Sequence, residues 1–292
     1  MSRLLLLLTS FLLLATTGHA QTPAPTDTLK RAGRKRQPPK AKAQASSGRQ
    51  LRPLNADRPG VTESPNTIDP DHFQLETDLV RLINSTPGRE PRTRVLRLNA
   101  FAIRAGLTDH TEVQVFVDPY TVEKQWAPGE PTERSAGFGD VAVRVKHNFI
   151  GDDDETEALV VAAIGFVRLP TGGRQGAGGY EYGILVPATY NFQHEWHVSA
   201  QAASFVSYDR DEQQHALELA PSLALDHGFN DWLAGFAEFS TRQNLKTHQW
   251  TSAINIGPIF HISERLQLDF GRRFALSSTA DREYYLGLVI ER

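Results

Sequence analysis

The chain has 292 residues, of which 40% are hydrophobic and 22% are charged, and its formal net charge is −3. The charge is unevenly distributed: residues 21–52 hold nine Lys or Arg against one Asp, which leaves 21 basic and 33 acidic residues in 53–292. The chain has no cysteine, which excludes a disulfide scaffold, a thiolate metal site, a cysteine nucleophile and a lipidated N-terminal cysteine. No run reaches the roughly 18 to 20 apolar residues of a spanning helix.

Residues 1–20 are predicted to be a secretory signal peptide. Arg3 is the positive flank, residues 4–15 form a short apolar core, and the small residues around Ala20 offer a cleavage site. Residues 21–56, rich in Pro, Ala and Lys, are predicted to be a disordered basic tail in the periplasm, because they contain too few apolar side chains to fold. We expect no nucleic-acid partner for an exported tail. Contact with an anionic wall polymer or lipid headgroups stays open.

Residues 57–72 contain turn-forming residues and no periodicity, so we expect an ordered lead-in to the first strand. From residue 73 to the C-terminus the apolar residues alternate with polar ones, which is the period of a β-strand. Twelve strands are predicted, at 73–83, 93–104, 111–119, 138–149, 158–168, 179–190, 195–208, 214–226, 231–241, 248–260, 265–274 and 282–292.

The stretch 250–270 shows the repeating unit, two amphipathic strands joined by a polar turn. Such hairpins without covering helices form either a sandwich or a closed barrel. Every second connection is short, and the two longest, 120–137 and 169–178, fall among the others. That alternation is typical of outer-membrane barrels with short periplasmic turns, and an even strand number places both termini in the periplasm. We therefore predict an all-β fold over 73–292, a transmembrane antiparallel up-and-down β-barrel of about 12 strands.

In a membrane the outer face of such a barrel meets hydrocarbon, where a charge at mid-depth costs about 2–4 kcal/mol, whereas the interior is polar. The polar alternate positions are therefore predicted to line the lumen and to contact a solute. Each could equally be an interior residue held in a salt bridge. The candidate lining residues are Gln74, Glu76, Asp78, Arg97, Asn99, Gln114, Asp140, Arg144, Lys146, Asn255 and Asp269.

Several segments resemble a known family. Residues 57–65 read DRPGVTESP and are followed by FQLE at 73–76, and RAGLTD, GFGDV, LPTG and LQLDFG occur at 104–109, 137–141, 169–172 and 266–271. These segments are similar to the outer-membrane β-barrel family associated with transport in the phenol meta-degradation pathway. The matching motif residues at the start are Asp57, Arg58, Pro59, Glu63 and Pro65. The resemblance implies a barrel that takes up small hydrophobic or aromatic compounds. Barrels of this kind usually end in an aromatic residue, whereas this chain ends Glu291-Arg292.

No catalytic or metal motif stands out, and we expect no metal and no cofactor. The segment at 194–197, HEWH, lacks the spacing of a zinc protease helix. An outer-membrane hydrolase remains an alternative, for which Ser204, Ser207 and His215 are available.

The leading hypothesis is an outer-membrane channel or transporter of a Gram-negative cell, not an enzyme. Its expected partners are outer-membrane lipid, a small-molecule solute and the barrel-assembly machinery. The rival from another class is a structural or surface barrel without transport.

Overall fold

A computed structural model describes residues 51–151 and 157–292. The predicted signal peptide, most of the basic tail and most of the turn at 151–156 lie outside these residues. Within them, no helix is long and apolar enough to cross a membrane. The strands are β1 (Phe73–Ser85), β2 (Arg92–Thr108), β3 (Thr111–Val117), β4 (Tyr120–Trp126), β5 (Glu133–Gly137), β6 (Val141–Ile150), β7 (Leu159–Leu169), β8 (Glu181–Asn191), β9 (Trp196–Asp209), β10 (Gln214–Leu219), β11 (Ser222–Asn230), β12 (Leu233–Asn244), β13 (Trp250–Ser263), β14 (Leu266–Ala275) and β15 (Asp281–Glu291).

All strand pairs are antiparallel, and the sheet closes because β1 pairs with β2 on one side and with β15 on the other. Three barrel strands consist of two segments each, β3 with β4, β5 with β6, and β10 with β11, so the described residues form a ring of 12. The last residue joins the seam, since the backbones of Phe73 and Arg292 exchange two hydrogen bonds of 2.8 Å. The predicted all-β, up-and-down barrel of twelve strands is confirmed.

In two of the three barrel strands that consist of two segments, a proline lies between the segments. Pro119 separates β3 from β4 and Pro221 separates β10 from β11, and neither residue has an N–H group for the ladder. The sheet nevertheless continues across both, because Gly139 N donates to Asp118 O at 2.8 Å and Ala220 N donates to Ala203 O at 2.9 Å. The ring therefore stays closed along its length.

The alternation along each strand separates the outer face from the lumen. On β13, Ile254 and Ile256 are exposed on the outside, whereas Ala253 and Asn255 are buried inside. The same division places the leucines of β10 and β11 outside. On β7 both faces are apolar because Ile164 and its inward neighbours pack against other apolar lumen side chains.

Short and longer connections alternate between the two rims, as predicted. The chain enters β1 and leaves β15 at the rim that carries the short turns, such as the turn between β2 and β3. One predicted loop is wrong. Most of residues 120–137 belongs to β4 and β5, which pair with each other and extend the barrel as far as the turn at 127–132. The error arose because the polar residues of this hairpin lack an apolar alternate face.

Candidate functional site: a plug and a cavity in the barrel

Residues 52–69 lie inside the barrel and are called the plug below. The plug forms a hairpin whose two ends lie at the short-turn rim. At its start, the Arg52 guanidinium donates to the carbonyl oxygen of Asp109 in the β2–β3 turn at 2.6 Å, and Arg265 Nη1 donates to Arg52 O. At its end, Ile68 N donates to Glu112 Oε2 on β3 at 2.8 Å. The plug therefore enters and leaves the lumen by the same opening.

Arg58 clamps the plug to two strands. Its guanidinium donates two hydrogen bonds to Asp269 on β14, at 2.8 and 3.0 Å, and a third to Asp78 on β1 at 2.7 Å. A planar guanidinium matches a carboxylate in this two-point geometry. The clamp requires a glycine on β15, because a Cβ atom built on Gly287 would lie 1.8 Å from Arg58 Nη2.

Asp57 is held in a buried cluster of charges. Lys146 Nζ and Gln114 Nε2 donate to its carboxylate, and its backbone N–H donates to Glu76 Oε1 at 3.0 Å. Arg104 links the cluster, because it donates to Glu76 at 2.7 Å and to both oxygens of Glu112. Buried charges are tolerated only when they are paired and hydrogen-bonded in this way, so the cluster fixes the plug in one position.

The tip of the plug contacts the far side of the lumen. The backbone N–H groups of Val61 and Thr62 donate to the buried Glu238 carboxylate on β12, and Thr62 Oγ1 lies 2.7 Å from Ser222 Oγ on β11. Gly60 makes this approach feasible, because a Cβ there would lie 2.7 Å from Glu238 Oε1. We call the charged side chains that hold the plug the polar wall, which comprises Glu76, Asp78, Arg104, Glu112, Lys146, Glu238 and Asp269.

Two acids of the plug differ in their electrostatics. Burial disfavours the charged form of Asp57, but the positive charges of Arg104 and Lys146 outweigh it and hold the pKa of Asp57 below its usual range. Burial raises the pKa of Glu63 to about 7 although Arg144 opposes the rise. Arg144 Nη2 lies 2.8 Å from Glu63 Oε1, yet Glu63 Oε2 has no hydrogen-bond partner among the described residues. Asp57 is therefore a permanent anchor, and Glu63 is one that depends on pH.

A cavity of about 480 Å³ remains between the plug and the rest of the barrel. One side is apolar. Ile164, Leu185 and Ala203 form a buried cluster, and Phe166 and Phe205 pack against it with their ring centroids 5.6 Å apart. These five residues of β7, β8 and β9 are called the apolar wall. Phe101 and Phe116 add two more rings to the lining, and its volume fits a small organic molecule.

The loop at 170–180 is fastened to a residue of the cavity lining. The backbone N–H groups of Gly172 and Ala177 donate to the two carboxylate oxygens of Asp140 at 2.8 and 2.7 Å. Arg210 donates to the carbonyl oxygens of Gly173 and Arg174. The loop is therefore held over the rim opposite the short turns.

Ten of the eleven predicted lining residues divide into two groups of five, and Asn99 belongs to neither. Five of them line the cavity, namely Glu76, Asp78, Arg97, Asp140 and Arg144. Five are buried in the lumen and do not line the cavity, namely Gln74, Gln114, Lys146, Asn255 and Asp269. Gln74, Gln114, Lys146 and Asp269 bond the plug directly, and Asn255 bonds Glu238 beneath it. Asn99 is exposed, with a left-handed backbone (φ 54°), and does not line the cavity.

Four of the seven side chains of the polar wall were among the sequence candidates, and the other three were not. The motif residues Asp57, Arg58, Pro59, Glu63 and Pro65 all lie in the plug. Arg104, Gln201 and Glu238, which contact the plug, were not among the candidates, although each is a polar residue at an inward alternate position of its strand. The alternation along a strand shows which side chains point into the lumen, but it does not show which residue of the plug each one contacts.

The residues considered for hydrolysis do not form a catalytic arrangement. Ser207 Oγ lies 2.8 Å from Glu218 Oε1, whereas His215 Nε2 contacts Tyr180 O at 3.0 Å and its ring packs beside Tyr208. Because β9 and β10 pair Ser207 with Ala216, His215 points away from this serine. In residues 51–151 and 157–292, no three His, Cys, Asp or Glu side chains are arranged to hold a metal ion.

By fold the protein is a porin-like barrel of the outer-membrane type. It is similar to the COG4313 outer membrane channel from Pseudomonas putida F1, at 12% identity and a TM-score of 0.58, over 80% of this chain and 98% of that one. The fold also matches the NanC porin, at 10% identity and a TM-score of 0.48, over 74% of this chain and 98% of that one. It matches the beta domain of the Bordetella autotransporter Brka as well, at 11% identity and a TM-score of 0.48, over 77% of this chain and 100% of that one. At these identities the likeness concerns the fold.

The family model described as "Putative MetA-pathway of phenol degradation" matches residues 56–286. The chain belongs to this family, as the motifs indicated. The match begins within the plug, at residue 56, and runs through most of the barrel, so the sequence pattern of the family includes most of the plug segment. None of the curated proteins compared with the chain matches it in sequence.

Proposed function

We propose that this protein is an outer-membrane channel that takes up small hydrophobic or aromatic compounds, with both ends of the barrel chain and the plug opening in the periplasm. The lipid-facing surface carries the exposed apolar side chains of the alternate positions, and insertion would depend on the barrel-assembly machinery. The solute would pass between the plug and the apolar wall, and no cofactor or nucleic acid takes part.

One observation carries the proposal: the cavity borders apolar and aromatic side chains, while the polar wall is occupied by the plug. In a hydrophilic pore the charged side chains would be exposed to water and would contact the solute. Here most of the charges are paired with the plug or with each other, and the open space also borders Phe166, Leu185 and Phe205. An aromatic or aliphatic molecule gains about 25 cal/mol for each Å² that it buries on such a surface.

The plug must move for a solute to leave toward the periplasm, and a reversible lock tests this. The chain has no cysteine, so the double variant Thr62→Cys with Ser222→Cys can form a single disulfide. The two hydroxyl oxygens are 2.7 Å apart, so the replacing sulfur atoms are within bonding reach. We expect influx of the apolar probe N-phenylnaphthylamine into intact cells to fall several-fold on oxidation and to recover on reduction.

The single variant Thr62→Cys is the control and should respond to neither oxidant nor reductant. Influx that is the same with and without the protein would refute uptake and favour the structural barrel. Influx that continues unchanged with the lock closed would refute a path past the plug.

A further inference from the structure

The cavity lining combines cationic and aromatic side chains. Among the residues that line it, seven are arginines and none is a lysine. Four phenylalanines, Phe101, Phe116, Phe166 and Phe205, line the same space. Arginine binds carboxylates by two parallel hydrogen bonds and also stacks on rings, which a lysine ammonium does not do as well. The composition therefore suits a molecule with both a ring and an anionic group.

Most of these arginines are already neutralised. Arg58 and Arg81 pair with Asp78, and Arg81 also pairs with Glu283 at 2.7 Å. The remaining pairs join Arg168 to Glu181, Arg242 to Glu218 and Arg273 to Glu283. Such pairs hold the walls and leave no full positive charge for a ligand.

Arg97 differs from them. It lines the cavity, and its guanidinium has no hydrogen bond, ion pair or ring contact in the part of the chain that the structure describes. Its register partners are Arg81 on β1 and Thr121 on β4, so no acid faces it across either strand. A guanidinium stays charged at every relevant pH, so Arg97 is a permanent positive charge facing the cavity.

Arg144 supplies a second unused donor. The residue is 9% exposed; its Nη2 atom lies 2.8 Å from Glu63 Oε1, whereas its Nε atom has no hydrogen-bond partner among the described residues. Its Cζ atom lies 4.5 Å from the centroid of the Phe116 ring, and Phe166 is its register partner on β7. A buried donor of this kind, bordered by aromatic rings, marks a place where a ligand oxygen would be bound.

From these observations we infer that the cavity binds aromatic monocarboxylates, with Arg97 as the charge partner of the carboxylate and the phenylalanines as the surface for the ring. The inference deepens the proposed function and rests on it, because it specifies the class of solute. Asp118 opposes the ligand: it lines the cavity, and its carboxylate has no hydrogen bond or ion pair among the described residues.

The test is equilibrium binding to the purified full-length protein in detergent, with benzoate, the neutral benzamide and the ring-free acetate as probes. We expect benzoate to bind at least tenfold more tightly than either of the others. Arg97→Gln should reduce benzoate affinity about tenfold without changing benzamide affinity. Arg97→Lys, which keeps the charge and loses the two-point geometry, should cost a few-fold, and Asp118→Asn should tighten benzoate binding.

Arg168→Gln is the matched control, because it also removes one arginine from the cavity lining. Arg168, however, is already paired with Glu181, and its side chain is 47% exposed. The control variant should change benzoate affinity less than twofold, and retained heat-modifiable mobility on gels would show that each variant is folded. Equal binding of benzoate and benzamide, or an Arg97→Gln variant with unchanged benzoate affinity, would overturn the site.

The two proposals fail separately. Benzoate binding that depends on Arg97, together with probe influx that does not depend on the protein, would refute uptake and leave the site standing. Influx that responds to the Thr62–Ser222 lock, together with equal benzoate and benzamide binding, would refute the site alone.

Discussion

The polar wall and the apolar wall face each other across one lumen and use different interactions. The polar wall holds the plug through charges that are paired with Asp57 and Arg58 or with each other. The apolar wall faces the cavity with Phe166, Leu185 and Phe205, which offer packing but no directional bonds. Charged pairs fix a segment in one register, whereas apolar surface tolerates ligands of different shape. The polar wall therefore seats the plug in one defined position, whereas the apolar wall offers a surface that accommodates different ligands.

Removing the plug should have the largest effect on this comparison. A chain lacking residues 52–69 keeps the closed ladder of strands, because no β-strand includes these residues. We expect ionic conductance in planar bilayers to rise several-fold, since water then fills the polar side. The Thr62→Cys and Ser222→Cys variant, oxidised, serves as the opposite control and should conduct no more than the native chain. Unchanged conductance after the deletion would show that the closure lies elsewhere.

The second-largest effect is expected from breaking the clamp between Arg58 and Asp269. Arg58→Met keeps an unbranched side chain, shorter than that of arginine, but leaves the fully buried Asp269 without its guanidinium, and breaking a buried pair costs about 3–5 kcal/mol. The plug should leave the lumen more often, which single-channel recordings would show as frequent long openings. Arg168→Met, which breaks a partly exposed pair, should leave the recordings as they are. Equal gating in the two variants would contradict the role of the clamp.

A substitution in the apolar wall should reduce the influx of apolar solute and leave the position of the plug unchanged. Leu185→Asn has nearly the same size but places an amide among apolar side chains, where a buried leucine contributes about 1.5–3 kcal/mol. We expect influx of N-phenylnaphthylamine to fall about two- to threefold while ionic conductance is unchanged. Leu185→Met, which preserves the apolar surface, should retain influx. A loss of influx in both variants would point to a packing defect.

The smallest effect is expected from pH, which changes how firmly the plug is held in the lumen. The pKa of Glu63 in the seated plug is about 7, above its ordinary value of 4.5, so the seated plug binds this proton more tightly than the withdrawn one. Seating is therefore strongest below about pH 4.5 and weakens as pH rises through 7. Conductance measured from pH 4.5 to 8.5 should increase, and Glu63→Gln should abolish the increase. A decrease with pH would show that the ion pair with Arg144 dominates.

The strands could be predicted because the alternation of Ile254 and Asn255, and of similar pairs, records which side meets lipid. The loop at 120–137 could not, because its residues alternate too weakly to reveal β4 and β5. The sequence predicts an ordered lead-in at 57–72 but assigns residues 52–56, with which the plug begins, to the disordered tail, and the position of the plug inside the barrel could not be derived. Arg58 and Asp269 are 211 residues apart in the chain, and the periodicity of a strand does not say which side chain meets which.

The course of the plug has a consequence for biogenesis. Its start bonds the β2–β3 turn through Arg52, and its end, near Asp71, bonds Gly106 beside that turn. A hairpin that goes in and comes out through one mouth is not threaded, so no covalent or topological obstacle links it to the β1–β15 seam. The ring can be completed first and the hairpin inserted afterwards, and it can later be withdrawn and reinserted while the seam between Phe73 and Arg292 remains intact.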